Sequence, residues 1–88
     1  MSEFPRLTGS QVALLKADAF TGHCLDQHFN LMIGGKDQEP YTVFEDYEAA
    51  YGYVQRCRLE RPSLEYTIFA AGEEVVAFFN PFDDDSEQ

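Results

Sequence analysis

The sequence has no tryptophan, two histidines, two cysteines and only six lysine and arginine residues against sixteen acids. Each shortage excludes something. A formal net charge of −10 opposes phosphate backbones and anionic membrane surfaces, because both are held by clusters of basic side chains. Neither a nucleic acid nor a membrane is therefore expected as a partner. Cys24 and Cys57 are too few for a disulfide framework and read as reduced thiols of a cytoplasmic protein. No apolar run approaches the roughly 18 residues that cross a bilayer. The opening MSEFPRLTGSQ lacks a charged segment followed by an apolar one, so no signal peptide is expected. Gly34-Gly35-Lys36 lacks the spacing of a phosphate-binding loop and reads as a turn.

Aromatic side chains, by contrast, are plentiful: eight Phe and five Tyr in 88 residues. Most of them fall between Tyr41 and Phe79, the stretch that organises the chain. Tyr41 to Phe44 is β-branched and aromatic and suits a strand. Asp46 follows as a helix N-cap, with Glu45 and Glu48 near the positive helix end. Tyr47, Ala50, Tyr51, Val54 and Cys57 recur at helical spacing, predicting one apolar stripe. Gly52 sits inside that helix and suggests close approach to a strand. Arg56, Arg58 and Arg61 suit the negative helix end, and Pro62 stops the helix at or before Arg61.

Ser63–Ala71 and Glu74–Phe79 read as a hairpin turning at Gly72-Glu73, of type II′. In that register one face carries Leu64, Tyr66, Ile68, Ala70, Val75, Ala77 and Phe79, and meets the helix. The other carries Glu65, Thr67, Phe69, Val76 and Phe78.

Upstream, Met1 to Leu7 reads as an arm, with Phe4 and Pro5 available for packing. Thr8 and Gln11 have capping-box spacing ahead of VALLKADAF; a strand competes there, but the Ala and Lys content favours a first helix, ended by Gly22. His28–Ile33 alternates as a strand, and Lys36 to Pro40 is polar loop. The expected fold is therefore α+β in the order α-ββ-α-ββ. It has a four-stranded, mainly antiparallel sheet and the central helix packed on one face. The first helix either covers the other face or lies beside its partner. Residues 1–82 are expected to form one domain, and 83–88 read as an acidic disordered tail.

Sites are sparse. His23, Cys24, Asp26 and His28 hold metal-binding donors within six residues, but structural zinc sites draw ligand pairs from two segments, so a strand-entry loop is favoured and no metal or cofactor is expected. The same loop reading applies to Cys24 as a nucleophile with His23 or His28 as base. Glu45, Asp46 and Glu48 read as capping acids rather than an acid–base pair. Asp83-Asp84-Asp85 lacks the glycine and distal Glu of a calcium loop. What resists such explanations is Met32, Phe69, Val76 and Phe78 together on the second sheet face, a candidate interface.

These residues imply a small acidic, non-enzymatic protein-binding module: an adaptor, a regulator or an immunity-type inhibitor. Its partner is a basic protein or a second copy in a homodimer. Two other readings compete with it. One is an acidic mimic of nucleic acid that blocks a DNA-binding protein, and the other is a weak metal-binding role.

Overall fold

A computed structural model describes residues 4–33 and 38–81. Its elements run β1 (Val12–Asp18), β2 (Cys24–Leu25), β3 (Tyr41–Phe44), α1 (Tyr47–Glu60), β4 (Leu64–Ala70) and β5 (Glu74–Phe79). The fold is α+β: one antiparallel sheet with one helix packed against it. β1 lies at its centre, with β4 and then β5 on one side. On the other side β2 and β3 share the same flank end to end, pairing respectively with the C-terminal and N-terminal halves of β1. Residues 34–37 and 82–88, which include the Gly34-Gly35-Lys36 turn and the acidic run, lie outside the described residues.

The expected first helix is β1 instead. The capping signal is partly real: Gln11 Oε1 accepts from the Thr8 backbone N–H at 2.9 Å, and Gln11 N–H donates to the Thr8 carbonyl at 3.1 Å. Those bonds close a turn, and the chain then extends. Flanking strands satisfy the backbone of Val12–Asp18 on both sides, which a helix would have to do internally. Val12, Ala13 and Leu14 are all buried, as befits a strand with a helix on one face and packed side chains on the other. Gly22, at φ 80°, closes the loop between β1 and β2 rather than capping a helix. The expected strand at His28–Ile33 reduces to one bridge, Leu25 to Leu31. Strand pairing has moved upstream to Cys24-Leu25.

α1 starts and stops where its punctuation requires. Asp46 accepts from Ala49 N–H at 2.9 Å, and Arg61 N–H returns to the Cys57 carbonyl before Pro62. Its buried face is Ala50, Val54 and Cys57. Tyr47 and Tyr51 are rotated out of the expected stripe and stack on each other at 5.9 Å, with Tyr51 also reaching Phe79. Tyr53 takes the inner place, tilted against Phe44 at 5.3 Å. The core between helix and sheet adds Val12 and Leu14 from β1, Leu25, and Leu64, Tyr66 and Ile68 from β4. Burying each large aliphatic there contributes about 1.5–3 kcal/mol. The close approach expected at Gly52 is absent: a Cβ there would meet only Arg56 Nη1, at 3.8 Å.

β4 and β5 pair as expected for Tyr66 with Phe79 and Ile68 with Ala77, but a bulge follows. Phe69 then pairs with Val75 and Ala70 with Glu74, leaving Val76 as the extra residue. The turn has Gly72 at φ 77° and Glu73 at φ 62°. Two successive positive φ values belong to type I′, whereas II′ needs only the first. The bulge moves Val75 from the helix side, where it was expected, to the opposite face.

Candidate functional site

The sheet face away from the helix is an open surface built by β-strand alternation. Register places Val43, Ala13, Phe69 and Val75 in one row across the strands, and Tyr41, Leu15, Thr67 and Phe78 in the next. With the first helix absent, the N-terminal arm supplies what cover there is. Phe4 packs edge-on against Tyr41 at 5.1 Å and against Phe69 at 5.6 Å, and those two rings meet each other at 6.0 Å. Edge-to-face pairs of this kind add about 0.5–1.5 kcal/mol each beyond their burial. The shortest dimension of the molecule, 19 Å, holds a helix on a sheet and leaves no third layer.

Cover stops at β5. Val75 is 56% exposed, Val76 46% and Phe78 48%. Three of the four residues expected at an interface, Phe69, Val76 and Phe78, are thus neighbours on β4 and β5. Met32 is not with them. Its N–H donates to the Cys24 carbonyl, beyond β2 at the opposite margin. Four strand spacings put it on the order of 15–20 Å from β5. Acids border the exposed part: Glu65 on the same face beside Ala17, and Glu73 and Glu74 at the turn. The described bases sit elsewhere. Lys16 is buried on the helix side, and Arg56, Arg58 and Arg61 belong to the helix and its end. That leaves only Arg6, on the arm.

The metal-donor cluster does not assemble. Among the described residues no group of three or more His, Cys, Asp and Glu could hold a metal ion. Asp26 is committed to its own loop: Oδ1 accepts from the His28 and Asn30 N–H groups at 2.8 and 2.9 Å, and Oδ2 from Gln38 Nε2 at 3.0 Å. The Gln38 bond is the main reason its carboxyl is held below the usual range. Cys24 is exposed on the other sheet face, paired to Ala17. Asp46 is used as the helix cap. The acidic run Asp83-Asp84-Asp85, another candidate cation site, lies outside the described residues.

A second locality was missed from sequence. Lys16 points toward the helix side between Leu25 and Tyr66, with no accessible surface and, among the described residues, no hydrogen-bond partner for Nζ. Burial lowers its pKa, against the raising influence of Cys57 and Asp26. The ring of Phe29 lies 4.9 Å from Nζ, and the Arg61 guanidinium lies 4.1 Å from the same ring. Phe29 also helps line a cleft of about 490 Å³, floored by Leu25, Leu31 and Leu64 and edged by Arg61, Asp18 and Glu60. The available signal was period-2 spacing: Val12, Leu14 and Lys16 alternate, so a strand reading buries Lys16.

Set against family models, curated proteins and solved structures, the chain finds no match. Among the described residues no helix is long and apolar enough to cross a membrane.

Proposed function

We propose that the protein is a non-catalytic binding module that docks a basic segment of another protein on the β4–β5 part of its open sheet face. The observation carrying this reading is the exposed row of Val75, Val76 and Phe78, continuous with Phe69 and bordered by Glu65, Glu73 and Glu74. An apolar patch with a charged rim is the usual anatomy of an interface, and the rim selects the partner's charge. The rim also argues against a second copy. A two-fold dimer through this face would bring the same acids together, and Arg6 is the only described base that could answer them.

The test is an NMR titration of the whole chain with a synthetic peptide alternating lysine with valine and phenylalanine. Amide shifts should concentrate in β4 and β5, weaken with salt, and be lost in the Phe78→Ser variant. Shifts confined to the arginine-bearing helix, or a stable dimer by light scattering at micromolar concentration, would overturn the reading.

A further inference from the structure

We infer that the cleft beside Phe29 binds a small monocarboxylate with an apolar tail, its carboxylate held between Arg61 and Lys16 after the Phe29 ring turns aside. Four observations converge on this. Lys16 Nζ is fully buried and has no acceptor among the described residues, and buried polar groups in native structures nearly always have a partner. The guanidinium of Arg61, an exposed residue, lies 4.1 Å from the same ring, so two cationic side chains share one aromatic neighbour. Phe29 holds φ 67°, a left-handed conformation that a bulky side chain adopts only under constraint. Its ring lines the cleft and lies against Lys16 Nζ, so it stands between the two.

The remaining lining sets the ligand class. Leu25, Leu31, Leu64 and Pro62 are apolar and take a hydrocarbon tail. The volume, about 490 Å³, is within the usual span for small-molecule sites. Two acids also face the cleft. Asp18 Oδ1 is engaged by the Phe20 and Thr21 N–H groups, and exposed Glu60 at the edge repels a second negative charge. One carboxylate is therefore accepted and a dianion is not.

Hexanoate is the probe, added to the full chain at neutral pH and followed by amide NMR, with hexylamine and hexanol as parallel arms. Saturable shifts at Leu25, Phe29, Leu31, Arg61 and Leu64 are expected with hexanoate alone. Arg61→Gln and Lys16→Met should each weaken them about tenfold or more, equivalent to about 1.4 kcal/mol. Arg61 is exposed, so its replacement leaves folding intact and keeps the test valid should Lys16→Met perturb the core. No saturation by about 10 mM, weaker than any affinity of practical size, would overturn the inference. Equal shifts from hexylamine or hexanol, or unchanged binding by Arg61→Gln, would do the same.

Discussion

The ammonium of Lys16 and the ring of Phe29 stand 4.9 Å apart beneath the helix, and among the described residues the ammonium has no hydrogen-bond partner. Cation–π attraction offsets part of the cost of burying a charge, but not all of it. Much of what can be measured on this protein follows from that imbalance.

Replacing Lys16 by methionine keeps an unbranched side chain as far as Cε and removes the buried amine. The variant should be more stable by about 1–3 kcal/mol, as when unpaired or poorly paired buried charges give way to apolar groups. Urea denaturation followed by circular dichroism measures it, and a loss of stability would contradict the assigned environment.

The same residue sets a pH dependence. The folded-state pKa of Lys16 lies below its unfolded value of 10.5. Between those two values the unfolded chain holds a proton that the folded chain has released, so stability rises with pH. Tyr53, pushed up to about 12, and Tyr66, raised further, act oppositely, because their unfolded counterparts ionise first, near 10.0. Melting curves should therefore show the wild type gaining on Lys16→Met as the pH rises toward 10.5, with the two tyrosines lowering the stability of both proteins above about pH 10.

Phe4 holds the arm to the sheet through two edge-on rings. Phe4→Ala should cost about 1–3 kcal/mol from the lost ring pairs and burial, and should raise the binding of a hydrophobic dye as Phe69 is uncovered. An unchanged unfolding midpoint would show that the arm contributes nothing.

Gly52 has room that it does not use. Gly52→Ala places a Cβ in ordinary contact with Arg56 Nη1 alone and should stabilise by up to about 1 kcal/mol through helix propensity. Asp46→Ala should act in the opposite direction, losing the bond to Ala49 N–H and about 0.5–2 kcal/mol. Thermal melts of the two variants bracket the wild type if both assignments hold.

Some of this was legible in the chain alone. α1 carries its own limits, an acid that caps and a proline that stops, and each acts within one helical turn. The β4–β5 hairpin is likewise announced by Gly72 between two apolar runs, and the α+β class follows from those two elements. The candidate interface was only partly legible. Phe69, Val76 and Phe78 are adjacent in one hairpin, whereas Met32 was assigned from alternation in a segment that forms no strand.

What the sequence by itself determined, then, is the set of structures stabilised by bonds between near neighbours. Tertiary structure alone decided that Val12–Asp18 is the central strand, because most of its pairing is with Tyr41–Phe44 and Leu64–Phe69, segments far along the chain, and only its end pairs with nearby Cys24-Leu25. That choice buries Lys16, removes the expected first helix from the open face, and leaves Phe4 to cover it. A helix over Val12–Asp18 would satisfy those same backbone groups internally and locally, so only the packing of distant strands on both sides could tip the balance to extension.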